Sequence, residues 1–221
     1  MYGLIQTIIN GLRVMQDNTD PEQPAHSFVL ASGSPRREQL LTQYGYEFCV
    51  VPPDDSAECG VCSGETPPEL VGRLAFQKAR DVAQRYRTGV FLGADTIVEC
   101  CGQVLGKPVD REDARRILLL LRNREHHVYS GVCLWRRPQD GTLIRVDRTT
   151  LIMDDFSEQQ LEAYLDTDLW EGKAGAFGYQ DEHDWLRITQ GSETNVVGLP
   201  MELLANMLGE FAPEVKIGET R

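Results

Sequence analysis

The sequence has no apolar run approaching the length of a membrane span; its leucine-rich stretch, Ile117–Leu121, is closed off by Arg116 and Arg122. It has no cationic leader. MYGLIQTIINGLRVMQDNTDPEQPAHS opens without Lys or Arg, and Asn10, Gly11 and Arg13 break its apolar residues, so a cytoplasmic chain is expected rather than a secreted one. Basic residues are scarce: 22 Lys and Arg face 34 Asp and Glu, a net charge of −12, which argues against nucleic acid as a partner. In so acidic a body, any cluster of cations is informative. The nucleophile elbow of a serine hydrolase, G-x-S-x-G, is missing. His126, His127 and His183 lack metal-type spacing to one another. The six cysteines (49, 59, 62, 100, 101 and 133) include one C-x-x-C, Cys59–Cys62, with no second to complete a zinc site. Reduced thiols are expected, with a zinc module at Cys59 and Cys62 as the alternative. No period of solenoid length repeats.

What is present suits one globular domain, or one domain with two lobes: 221 residues, 41% hydrophobic and 25% charged. Residues 1–26, ending in the linker-like DNTDPEQP, form an extension, 27–210 the domain, and 211–221 a tail. Strands are expected at Phe28–Ala31, Glu47–Val51, Val90–Ala94, Thr96–Cys100, Gln103–Leu105, His127–Arg136, Leu143–Met153 and Trp185–Ile188. Helices are expected at Pro35–Tyr44, Pro68–Tyr86, from Asp110 to Leu121, from the capping box Ser157-Glu-Gln-Gln160 to Leu165, and at Pro200–Leu208. Hairpins among crossover helices predict a mixed α/β fold.

Four stretches carry chemistry. In LASGSPRREQLL a strand meets an elbow, Ser32-Gly33-Ser34-Pro35, and then a helix start bearing Arg36 and Arg37. A helix N-terminus is already positive, so two guanidiniums there suit an anion such as a phosphate chain, with Ser32 and Ser34 as further donors. The plainer reading is Ser34 as N-cap, Pro35 at the first helical position and two solvated arginines. In GADTIVE, Asp95 lies past an apolar strand end, where a carboxylate holds a divalent metal, takes a proton from water, or only stabilises a turn. In LGKP, Lys107 is a cation in a rigid turn; the segment is not a P-loop, because Pro108 stands where a hydroxyl should meet magnesium. In GKAGAFGYQ, small residues allow close approach to a ligand, Lys173 adds charge, and Gln180 offers the donor and acceptor that base reading needs. Arg36, Arg37, Lys107 and Lys173 beside small residues, with Asp95 among them in chain order, suit metal-assisted attack on a polyphosphate.

Read together, LASGSPRREQLL, GADTIV, LGKPVDREDA, REHHVYSGV, KAGAFGYQ and GSETNVVGLP resemble the Maf nucleotide pyrophosphatases, in the family's order, over about residues 28–208. The resemblance implies two lobes around an elongated mixed sheet with the active site in the cleft between them, often as a homodimer. It implies hydrolysis of nucleoside triphosphates between the α and β phosphates with a divalent cation, Mg²⁺ or Mn²⁺. Asp95 falls on the family's proton acceptor. Arg36, Thr96 and Gln180 fall on positions linked to substrate choice; Arg37, Lys78, Lys107 and Lys173 on positions that hold phosphates; Ser32 and Ser34 on the phosphate loop; and Glu58, with Asp95, on the metal site. SPRR, ADT and the Gln after the glycine-rich loop resemble the dTTP- and UTP-directed branch rather than the 7-methyl-GTP branch, since the Gln180 amide matches the O4 and N3–H edge of thymine or uracil. Asp181, where a glycine is common, narrows the base pocket. A regulator of septum formation that binds nucleotide without turnover is the rival reading.

Overall fold

The computed structural model describes residues 27–57, 64–181, 184–215 and 217. Residues 1–26, Glu58, Cys59, Cys62 and His183, each read from sequence above, lie outside the described residues.

One mixed sheet runs through the protein. Strands β1 (Phe28–Ala31), β2 (Cys49–Val50), β3 (Gly89–Cys100), β4 (Gln103–Leu105), β5 (Arg124–Arg137), β6 (Gly141–Met153) and β7 (Leu186–Gln190) are ordered β2-β1-β3-β5-β6-β7, with β4 also on β3. β1 is parallel to β2 and β3, while β3, β5, β6 and β7 pair antiparallel. Helices are α1 (Pro35–Gln43), α2 (Pro67–Ala83), α3 (Arg111–Leu121), α4 (Glu158–Leu165), α5 (Glu193–Val197) and α6 (Met201–Phe211). No helix among the described residues is long and apolar enough to cross a membrane.

Local chemistry accounts for most boundaries. Thr66 and Glu69 close a capping box on α2, Asp110 caps α3 through the Asp113 N–H, and Ser157 with Gln160 does the same for α4. Asn123 takes a left-handed φ of 55° where α3 gives way to β5. Cys101 and Gly102, both at positive φ, form the tight turn joining β3 to β4.

Alternation along β3 sorts the cores. Val90, Leu92 and Ala94 join a cluster with Leu40 and Leu41 of α1 and Leu204 and Met207 of α6, while Val98 and Cys100 join another with Ile117, Leu118 and Leu165 from α3 and α4. On the opposite face, α2 packs over Phe91, Gly93 and Ile97. The sheet thus carries two cores on one face, and Thr96 lies at the gap between them.

Two expectations change. β3 runs unbroken through Asp95, which pairs with Gly131 of β5, because β5 supplies a partner along the strand's whole length. α5 was not expected. Of the expected tail, Val215 packs against the α1–α6 core and Ile217 bridges Tyr46. The described cysteines, Cys49, Cys100, Cys101 and Cys133, are free thiols, and burial pushes Cys100 up to about 11 and Cys133 up to about 12.

Candidate active site

β1 covers one edge of β3 from Val90 to Gly93, and β4 covers it again from Val98 to Cys100. Between them lies an open stretch of strand edge carrying Asp95 and Thr96. It lies beyond the C-terminal end of β1, where open α/β sheets offer room for a ligand.

From β1 the chain turns through Ser32–Pro35 into α1. The Ser34 hydroxyl does not cap the helix; instead the Ser34 N–H donates to Ser32 Oγ at 3.2 Å. Arg37 is buried, and its guanidinium ties three segments together. Nε donates to Gly198 O at 2.9 Å, Nη1 to Ser32 Oγ at 3.2 Å and Nη2 to Thr96 Oγ1 at 3.3 Å. Thr96 Oγ1 in turn lies 2.8 Å from Ser130 Oγ and 3.2 Å from Gly198 O. Arg36 reaches the other wall, where Nη2 donates to Gly172 O at 3.0 Å. Burial lowers its pKa, against the opposing pull of Asp181.

Lys78 enters from α2 and donates to Asp95 Oδ1 at 2.7 Å; their side chains are 9% and 13% exposed. That approach depends on glycine. A Cβ on Gly93 would lie 2.2 Å from Ala75 O, and one on Gly131 would lie 2.2 Å from Val71 O, so only bare backbone lets α2 come this near.

The far wall is the stretch 172–181, held to the turn after β4 by the Gly175 N–H donating to Gly106 O at 3.0 Å. Here Lys173 pairs with Asp181 at 2.6 and 2.5 Å, and Tyr164 donates its hydroxyl to Asp181 at 3.2 Å. Burial first, then Asp181 beside it, pushes the Tyr164 phenol well above its usual range.

Ser34, Arg36, Arg37, Lys78, Asp95, Thr96, Lys107, Lys173 and Gln180 line a single cleft of about 800 Å³, counting the part open to solvent. Ser32 lines the cavity adjoining it, which shares Ser34, Arg36, Arg37, Lys78 and Lys107. Every described candidate site residue therefore lines this cleft or the cavity adjoining it. Val98, Val128, Phe177 and Val196 give the cleft a partly apolar lining, and none of them borders the adjoining cavity. Sequence reading passed over the roles of Ser130, Tyr164 and the carbonyls of Gly172 and Gly198. Backbone acceptors leave no side-chain signature, and Ser130 and Tyr164 act only through tertiary contacts. From sequence Asp181 reads only as a residue that narrows the base pocket; its pairing with Lys173 and Tyr164 is a tertiary contact.

A cationic cleft at an open strand edge, lined also by Asp95, Asp181 and a set of apolar side chains, defines a protein that handles a phosphate-bearing organic ligand. The chain belongs to the family of Maf-like proteins, whose model matches residues 27–211. It is 55% identical over 186 residues to a dTTP/UTP pyrophosphatase of Rhodopirellula baltica, covering 84% of this chain and 82% of the relative. A dTTP/UTP pyrophosphatase of Dictyoglomus thermophilum is 41% identical over 184 residues, covering 83% and 95%. A nucleoside-triphosphatase, dITP/XTP pyrophosphatase, of Mycobacterium abscessus aligns in structure at a TM-score of 0.39 with 13% identity, over 85% and 98% of the two chains.

Proposed function

We propose that the chain is a nucleoside triphosphate pyrophosphatase acting on dTTP and UTP, releasing the monophosphate and pyrophosphate. The observation that carries this reading is Asp95 in a cleft whose cations Arg36, Lys78 and Lys107 continue into the adjoining cavity, while Gln180, Val98 and Phe177 line this cleft alone. Phosphates lie along the run, the base packs against Phe177 and Val98, and the Gln180 amide meets the O4 and N3–H edge of the pyrimidine. Asp95 takes a proton from water as the water oxygen bonds to the α-phosphorus; the α–β bridging bond breaks and pyrophosphate leaves. Lys78 holds the carboxylate in position, and the remaining cations offset charge on the departing phosphates.

Mg²⁺ or Mn²⁺ belongs to this reading. No group of three or more His, Cys, Asp or Glu able to hold a metal occurs among the described residues. Of the two cleft carboxylates Asp181 is held by Lys173, which leaves Asp95 as the protein ligand for a hard cation carried mainly by phosphate oxygens and water, with Glu58 as a second candidate. When bound, the cation would polarise the phosphate oxygens. The reading includes a cytoplasmic homodimer without a nucleic-acid partner, the last supported by the net charge of −12.

The test is pyrophosphate release by the purified chain with Mg²⁺ or Mn²⁺ across dTTP, UTP, CTP, GTP, 7-methyl-GTP and ATP. The expected result is fastest turnover on dTTP and UTP. A lead for 7-methyl-GTP would overturn the base assignment, and nucleotide binding without turnover would favour the regulatory reading.

A further inference from the structure

Asp181 is an acid in the cleft that this hydrolysis does not use. Both its oxygens grip the Lys173 ammonium, at 2.6 and 2.5 Å, and the two side chains are largely withdrawn from solvent, at 9% and 15% exposure. Its field also reaches Arg36. Gly178 closes over the pair: a Cβ there would lie 2.5 Å from Lys173 Nζ and 2.6 Å from Asp181 Oδ2. A carboxylate held this firmly in a cleft for a polyanion repels its ligand and occupies a cation that the ligand needs.

Position along the cleft decides which ligand suffers most. Ser34, Arg36, Arg37, Lys78 and Lys107 border both cavities, whereas Lys173 and Asp181 border only the one that also holds Phe177 and Gln180. With the base at the Phe177 end and the phosphates running toward the elbow, the phosphate nearest Lys173 is the α-phosphate. That is the phosphate the monophosphate product keeps.

Building on the pyrophosphatase reading, we propose that Asp181 is a positioning residue that sets specificity against product, competing for the Lys173 ammonium and thereby weakening the nucleoside monophosphate more than the triphosphate. A triphosphate also engages the elbow and Lys107 through its β and γ phosphates, so it keeps most of its hold while Lys173 stays with Asp181. A monophosphate has only its α-phosphate and must displace the carboxylate or bind beside it. Product release is a common limit on turnover, and this pair speeds it.

The experiment is inhibition of UTP hydrolysis by UMP in the full chain, read as KI for UMP against KM for UTP. Removing a charge-assisted contact of this kind typically changes affinity by about tenfold or more. Asp181→Asn is expected to raise the ratio of KM to KI about tenfold, with Asp181→Glu restoring it toward wild type. A ratio unchanged or lowered in Asp181→Asn that still hydrolyses UTP overturns the proposal. A second measurement needs no variant: in the wild type, inorganic pyrophosphate, which does not require Lys173, inhibits more strongly than UMP. Equal or stronger inhibition by UMP also overturns the proposal. A wild type inert on every triphosphate overturns the pyrophosphatase reading itself, and this inference with it.

Discussion

At the scale of single residues, the Lys78–Asp95 contact concentrates the chemistry. Asp95→Asn keeps the side chain's size and removes the proposed proton acceptor. Its kcat on UTP is expected to fall about a thousandfold, while UTP still raises the melting temperature; turnover near wild type would contradict the role. His126 is a test of a different kind. It is 1% exposed, lies edge-on to Phe177 at 5.4 Å between ring centroids, and burial pulls its pKa down to about 4 from 6.5. The folded state therefore keeps this imidazole neutral where the unfolded chain protonates it. The stability it confers is present above about pH 6.5 and is lost as pH falls toward 4, by at most about 3 kcal/mol. Urea unfolding at pH 5 and pH 7 is expected to show a smaller difference in His126→Phe than in wild type; equal differences would contradict the assignment. Asp95 taken alone reads equally well as a turn residue; its place in the cleft was legible because it stands among the cationic motifs in chain order and within GADTIV. Asp181 was not, because its meaning depends on Lys173 and Tyr164 arriving beside it, which only the folded loop and α4 bring about.

At the scale of elements, β3 and α2 build the site together. β3 exposes Asp95 on an open edge, and α2 delivers Lys78 because Gly93 and Gly131 let the helix lie close to the sheet. In both cases the atom a methyl group would strike is backbone, which cannot swing aside as a side-chain tip can. Gly131→Ala is expected to cost about 3 kcal/mol of stability and to lower UTP turnover in the fraction that folds, because Gly131 pairs directly with Asp95. Chemical denaturation and activity at low temperature check both, and a neutral substitution would contradict the close packing. Most elements were legible through caps and periodicity. The break expected at Asp95 was not there: a carboxylate in an apolar run reads locally as a strand end, while β5 continues the ladder past it. α5, five residues long, is too short for a helical period to register.

At the scale of the whole molecule, a body of net charge −12 surrounds a cleft that gathers Arg36, Arg37, Lys78, Lys107 and Lys173. Attraction of a polyanion into such a cleft weakens as salt shortens the screening length to about 8 Å at physiological strength and about 3 Å at 1 M. KM for UTP is accordingly expected to rise several-fold from low to high salt with a smaller change in kcat, measured in a series of chloride concentrations. A salt-independent KM would contradict the electrostatic role of the cleft. The mixed sheet and the gathering of distant motifs were legible from their order and chemistry, and the cleft between two lobes from the family resemblance; which residues fill the two cores flanking Thr96 emerges only from the sheet's assembly. The central claim is that Asp95 directs water to the α-phosphorus of a pyrimidine nucleoside triphosphate. Hydrolysis of UTP in ¹⁸O-water, with mass spectrometry of both products, tests it most directly. Label in UMP and none in pyrophosphate is the predicted result; label in pyrophosphate would place the attack on the β-phosphorus and contradict it.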